Sequence, residues 1–240
     1  MLKLTKRYLS RRTEEMWIGN RYQFLNLLEA NNQLQVLDVG CGDGSFTRMI
    51  ADHIGTEHIS GMEINPEIAR QSREINHINT IIANVSEPLP FNNGTFDVVV
   101  SNQLIEHLFD TDAFAKEVYR ILRPGGVCIC STPNLASLHN IFSLILGYQP
   151  FTSHVSDQKE DCGTMFGSPF PADPNPYLGE KHRRIFTSRA LKDFFELHGF
   201  RCESIVGYGF YPLPRVVCRN LRFSRYSAYI TIKARKPNKV

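Results

Sequence analysis

No stretch of this chain stays apolar for the ~20 residues that a bilayer-spanning helix requires, so spanning helices are excluded at the outset. The six cysteines contain no C-x-x-C pair: Cys41 lies in a glycine-rich turn, and Cys128 and Cys130 alternate along one apparent strand. That distribution reads as free thiols in a reducing compartment rather than a disulfide framework. A strong excess of one sign of charge is missing too. The formal net charge of +3 argues neither for nor against a nucleic-acid partner. The basic start MLKLTKRYLSRRTEE has no apolar core, so it is not read as a secretory signal, and a cytoplasmic protein is expected. Internal repeats and low-complexity segments are also lacking. What remains, at 240 residues, is one large domain or one domain with an insertion.

What is present is organised around Val36-Leu37-Asp38-Val39-Gly40-Cys41-Gly42-Asp43-Gly44-Ser45-Phe46. The short apolar run reads as a buried parallel strand. Gly40, Gly42 and Gly44 break it at alternate positions. Phe46, Met49, Ile50 and His53 then recur at helical spacing. A strand, a glycine turn and a helix form the first half of a βαβ unit. The glycines admit a ligand where a Cβ would collide, and the helix N-terminus suits a carboxylate or phosphate. Three readings of the turn stand side by side. A dinucleotide loop, G-x-G-x-x-G, would need its third glycine at Ser45, and Asp38 sits poorly beside a pyrophosphate. A tight turn without a ligand is the second. The third is a ligand carrying an ammonium and a sulfonium, beside which Asp38 sits well.

The string VLDVGCGDG resembles the S-adenosylmethionine (SAM) loop of the class I methyltransferases, and ILRPGGVCICSTPN resembles that family's helix–turn–strand. The resemblance implies an α/β fold, a three-layer Rossmann-like seven-stranded mixed sheet with a lid inserted after strand 5. It implies SAM as cofactor and S-adenosylhomocysteine as product. Asp38, Gly40, Cys41, Gly42 and Gly44 would embrace the methionine half. Glu63 ends the second expected strand, 25 positions after Asp38, where a carboxylate can accept hydrogen bonds from both ribose hydroxyls. Asn84 stands where the family usually has an aspartate on the adenine amino group. Its amide oxygen still accepts, without charge. Ile64, Val85 and Asn102 complete the expected cofactor set.

The expected organisation is a single domain: a helical cap over 1–32, a SAM-binding core over 33–133, a lid over 134–186, and a C-terminal helix and strand pair over 187–240. Strands are expected at 36–39, 59–63, 80–83, 97–101, 127–131, 201–208 and 227–234. Helices are expected at 14–30, after the glycine turn, from Pro66 with Asn65 as cap, at 112–122, from Asn134 as cap through 146, and at 187–197 with Thr187 as cap. Residues 1–12 are expected to be partly frayed. Trp17 and Tyr22 read as docking aromatics or as a cover for the substrate pocket. The lid mixes Pro, Gly, Ser and Asp with Phe151, Phe166, Phe170 and Tyr177. A loop of that length in a domain is usually functional or disordered.

In an open parallel sheet, ligands bind at the carboxyl ends of the strands. Asn102-Gln103-Leu104-Ile105-Glu106-His107-Leu108 follows the fourth expected strand and therefore faces the place of reaction. SAM-dependent transfer is an in-line displacement, so the protein must chiefly align the acceptor. A hydroxyl acceptor also needs a base. His107 is the first candidate and His182 the second. Each also has an ordinary reading, as a helix-start histidine bonded to backbone and as an exposed linker histidine. Gln103-Leu104-Ile105-Glu106-His107 resembles the E-x-x-E-H of metal-dependent O-methyltransferases. Gln103 replaces the first carboxylate, removing a hard ligand, so no metal is expected. Arg215, Arg219, Arg222 and Arg225 read either as a grip on an anionic acceptor or as a solvated rim. The apolar helix in 135–146 lacks a basic polar face and is expected to dock on its own domain rather than on a membrane.

The leading expectation is methyl transfer from SAM to oxygen of a small or glycan-like molecule, by a monomer or homodimer. A noncatalytic SAM-fold regulatory protein and an RNA methyltransferase are the alternatives. No N/D-P-P-Y/F tetrad follows the fourth expected strand, and no appended RNA module is seen, so a nucleic-acid acceptor is not favoured.

Overall fold

The computed structural model describes residues 2–156, 159, 161–165, 181–213 and 224–238, with the side chains of 2–7, 9 and 10 left aside. Seven strands form one sheet: β1 (Val36–Val39), β2 (Ile59–Glu63), β3 (Asn79–Ile82), β4 (Phe96–Asn102), β5 (Leu122–Pro133), β6 (Arg201–Tyr208) and β7 (Tyr229–Arg235). Their order is β3-β2-β1-β4-β5-β7-β6. The first five run parallel, and β7 is antiparallel to both its neighbours. This is the seven-stranded mixed sheet expected from the sequence. The strand order reverses between β1 and β4, so a crevice opens at their carboxyl ends.

Six helices join the strands: α1 (Leu2–Leu25), α2 (Ser45–Ile54), α3 (Pro66–Asn76), α4 (Thr111–Ile121), α5 (Leu138–Ile145) and α6 (Ser188–Leu197). Their starts follow local chemistry. Asn65 Oδ1 accepts from the backbone N–H of Glu67 and Ile68, with Pro66 at the first helical position. Asp110 and Thr187 accept likewise from Ala113 and Ala190. The inward stripe of α4 is the expected one, with Phe114, Val118 and Ile121 fully buried. These pack into one apolar layer with Leu37, Val99 and Leu191. Phe24, Phe46, Ile50 and Ile129 build the layer on the other face.

Several expectations move. α1 begins at Leu2 rather than near residue 14. His53 is exposed, and Ile54 takes the buried position. Trp17 and Tyr22 are 40% and 59% exposed. Trp17 lies under the Arg21 guanidinium at 3.8 Å instead of docking into the core. Asn134 is not the cap of α5; Ser137 holds that place. Asn134 instead donates to the carbonyls of Arg225 and Ser227, at 2.8 Å each, and accepts from the N–H of Ala136. Its backbone bridges Phe186, so it fastens both ends of the 134–186 insertion to the sheet. Phe151 is buried, whereas Phe166, Phe170, Tyr177, Arg215, Arg219 and Arg222 lie outside the described residues. Arg225 sets its guanidinium 5.0 Å from the Tyr226 ring.

Candidate functional site

The turn after β1 is built by backbone conformation. Gly40, Gly42 and Gly44 have φ of 77°, 56° and 79°, values that side-chain-bearing residues rarely adopt. The N–H groups of Gly40 and Cys41 both donate to the Met62 carbonyl, at 2.8 and 3.0 Å. A Cβ on Gly44 would meet Ser72 Oγ at 2.3 Å, whereas one on Gly42 would stand in open space. Gly44 is therefore a packing glycine, and Gly42 faces a volume that a ligand can use.

Two carboxylates flank this turn. Glu63, 2% exposed at the end of β2, accepts from the N–H of Gly42 at 3.1 Å and of Asn65 at 2.9 Å. It ties the glycine turn to the start of α3. Asp38 is buried and accepts a 2.6 Å hydrogen bond from the Thr47 hydroxyl. Desolvation pushes its carboxyl up to about 6, opposed by that hydrogen bond and by the nearby Arg21. Arg21 feels both Asp38 and Asp43. Sequence reading missed it, because a single arginine inside a basic amphipathic helix carries no local signal. Cys41 is buried and its thiol is pushed up to about 12, chiefly by desolvation, so it stays protonated.

The rest of the expected cofactor set lines the neighbouring strand ends. Ile64 follows Glu63 and is half-buried, and Val85 is buried. Asn84 turns its amide oxygen back to the N–H of Ser86, at 3.0 Å. Asn102 ends β4, and its Oδ1 is buried without a partner among the described residues. Around it, Asn20 of α1 and Gln103 each donate to Ser131 Oγ of β5, at 3.1 and 3.2 Å. Gln103 has φ 57°. Asn20 Oδ1 and Ser101 Oγ are unpartnered as well. Buried polar atoms are nearly always hydrogen-bonded. The orphaned amide oxygens of Asn20 and Asn102, gathered around Ser131, therefore mark a place suited to a polar ligand. Asn20, Gln103 and Ser131 join the site on this ground, whereas Ser101, one residue earlier on β4, points to the opposite sheet face.

The next residue of β5, Thr132, points to the opposite sheet face and donates to Glu106 Oε2 at 3.0 Å. Glu106 is 1% exposed, and desolvation pushes its carboxyl up to about 8. Residues 183 and 184 meet this turn: the N–H groups of Arg183 and Arg184 donate to the Glu106 carbonyl at 2.6 and 3.1 Å. His107 and His182, 75 positions apart in the chain, come together with ring centroids 5.1 Å apart. His107 Nδ1 lies 3.3 Å from the Lys181 carbonyl, and its Nε2 lies 4.0 Å from Glu106 Oε1. His182 is not an exposed linker residue. Its Nδ1 bonds the Thr152 carbonyl at 2.9 Å, and its ring stacks on His154 at 5.1 Å. Burial and the neighbouring histidines lower it to about 3, so it is neutral near pH 7. Ligating atoms of Glu106, His107 and His182 lie within 4.8 Å of one another and are capable of holding a metal ion.

Residues 7–205 match the family described as methyltransferase domain. The chain is similar to the demethylmenaquinone methyltransferase of Listeria welshimeri, 29% identical over 138 residues that cover 53% of this chain and 58% of that one. It is also similar to a probable S-adenosylmethionine-dependent methyltransferase of Mycolicibacterium smegmatis, 38% identical over 41% of this chain and 38% of that one. The matched part of the chain thus spans less than two thirds of the length of either relative. Among solved structures, a putative methyltransferase of Bacillus halodurans superposes with a TM-score of 0.63, at 16% identity, over 92% of this chain and 100% of that one.

Proposed function

We propose that this chain, which belongs to the methyltransferase domain family, moves a methyl group from SAM to an oxygen of a small or glycan-like acceptor. The observation that carries this reading is the glycine turn itself. Three left-handed glycines follow the strand that carries buried Asp38, and Glu63, at the end of the neighbouring β2, accepts from the Gly42 N–H. An open position at Gly42 and the orphaned amide oxygens of Asn20 and Asn102 suit a ligand rich in polar groups. A relative named for demethylmenaquinone supports a small organic acceptor.

In this reading SAM supplies a methyl already activated on a sulfonium. Asp38 would face the ammonium, Arg21 the carboxylate, and the Glu63 carboxylate at the end of β2 the ribose hydroxyls. Gly40, Cys41, Gly42 and Gly44 shape the bed for the methionine half. Ile64, Asn84 and Val85 border the adenine, and Asn102 the methyl end. His107 takes the acceptor's hydroxyl proton. His182, held low by burial, is a poor base and instead orients the His107 ring. The grouping of Glu106, His107 and His182 favours a second reading of that corner, in which the same atoms hold a divalent cation that polarises the acceptor oxygen;.

Calorimetric titration with SAM, followed by a screen of sugar, quinone and phenol acceptors with radiolabelled donor methyl, tests the whole. Absence of SAM binding favours a noncatalytic role. His107→Ala is expected to lower turnover by about 10²–10⁴-fold, the range for a lost base, with SAM affinity kept. Activity that falls in chelator and returns with added Mn²⁺ or Zn²⁺ selects the cation reading.

A further inference from the structure

The helix α5 is inverted. Its buried face is polar: His139, Asn140 and Ser143 are 8%, 0% and 1% exposed. Asn140 donates to the Asn134 carbonyl and to Thr152 Oγ1, at 3.1 and 2.7 Å, and Ser143 donates to the His139 carbonyl. The outward face is apolar. Leu138, Phe142 and Ile145, at helical spacing, are 40%, 57% and 75% exposed, and Leu144, Leu146 and Tyr148 continue the patch. The sequence led us to expect self-docking. The helix does dock on its domain, but by the side that makes hydrogen bonds, and among the described residues nothing covers the other. Contiguous exposed apolar patches of this kind mark contact surfaces.

Charge identifies the occupant. From Pro124 to Ser156 the chain contains no Asp, Glu, Lys or Arg, so the patch brings no charge into an apolar medium. Through one loop it connects to the start of α1, whose first six residues include Lys3, Lys6 and Arg7 and no acid, while Arg11 and Arg12 pair with Glu15. The Tyr8 hydroxyl donates to the Pro212 carbonyl at 3.2 Å, and the Tyr211 ring lies against His139 of α5 at 5.4 Å. An uncharged apolar helix linked through a loop to a basic segment complements an anionic bilayer surface, acyl chains for the one and headgroup phosphates for the other. A second copy fits poorly, because α5 has 8 residues, about 12 Å of helix, against the ~800 Å² per partner of a stable protein interface. The geometry points to α5 as a shallow membrane-docking element, with the basic start of α1 as its electrostatic partner. No helix among the described residues is long and apolar enough to cross a membrane, so contact is from one side. The inference stands apart from the methyl-transfer reading and does not use it.

The test is co-sedimentation of the purified full-length chain with vesicles of phosphatidylethanolamine and phosphatidylglycerol. Wild type is expected in the pellet, less so in high salt. Phe142→Glu/Ile145→Glu, which changes only exposed positions, is expected to weaken vesicle binding at least about tenfold. Its thermal midpoint should match wild type, and Ile75→Glu, 68% exposed on α3, should bind as wild type does. The proposal is overturned if wild type stays in the supernatant or if the double variant sediments equally. It is overturned as well if light scattering shows a wild-type dimer that the double variant splits while vesicle binding is nil.

Discussion

At the scale of single residues, two buried carboxylates do different work. Glu63 is satisfied by two backbone N–H donors, so its removal acts on structure as well as on ligand. Glu63→Ala is expected to weaken SAM binding by about 1–3 kcal/mol, the range for a charged hydrogen bond. It should also lower the unfolding midpoint, because the Gly42 and Asn65 N–H groups lose their acceptor. Titration calorimetry and urea unfolding on the same sample separate the two effects, and unchanged affinity would move ribose recognition elsewhere. Asp38 gives a pH signature. Its folded carboxyl is raised from an ordinary 3.8 to about 6, mainly by desolvation. The unfolded chain therefore loses this proton first as pH rises. Its contribution to stability is fully present below about 4 and is lost as pH climbs to about 6, amounting to about 3 kcal/mol at 1.36 per unit. Thermal melts between pH 4 and 7 should show this fall, and Asp38→Asn should reduce it, leaving the part due to Glu106, whose carboxyl is raised to about 8.

At the scale of elements, the glycine turn separates packing from function. Both Gly42 and Gly44 sit at positive φ, so alanine at either costs left-handed strain of about 1–2 kcal/mol. Gly44→Ala must also displace Ser72 and Ile78, so it is expected to be the less stable of the two in urea. Gly42→Ala, with nothing within 4 Å of its Cβ, should lose stability only by that strain and yet lose SAM affinity in calorimetry. Elements were legible wherever punctuation was local. Asn65-Pro66, Thr187 and the glycines placed α2, α3, α6 and β1 within a residue or two. Reading failed at α1, whose long basic start bears no cap signal, and at Asn134, whose amide serves distant carbonyls instead of the helix beside it.

At the scale of the whole molecule, the fully buried Asn134 ties the start of the segment after β5 to the loop before β7, its amide donating to the carbonyls of Arg225 and Ser227. Asn134→Ala leaves the carbonyls of Arg225 and Ser227 without their donor. It is expected to cost about 3 kcal/mol, from the penalty for stranded buried polar groups. Asn134→Asp should not rescue it, since a carboxylate has no N–H to give. Denaturant unfolding of the three proteins measures both statements. The Asn134 backbone bridges Phe186, close in the chain to residues 183 and 184 on the Glu106 turn, so these variants should lose activity out of proportion to SAM affinity.

The sequence by itself determined the alternation of strands and helices, the strand-end carboxylates and the glycine turn. Those features rest on neighbours within a few residues: apolar periodicity, caps, and backbone angles that only glycine takes easily. Tertiary structure alone decided which distant groups meet. His182 became a buried neighbour of His107, Arg21 came to face Asp38, and Asn20 reached Ser131 across the top of the sheet. It also decided that α5 turns its polar side inward, because buried carbonyls and hydroxyls beneath it needed hydrogen-bond partners that no apolar face supplies.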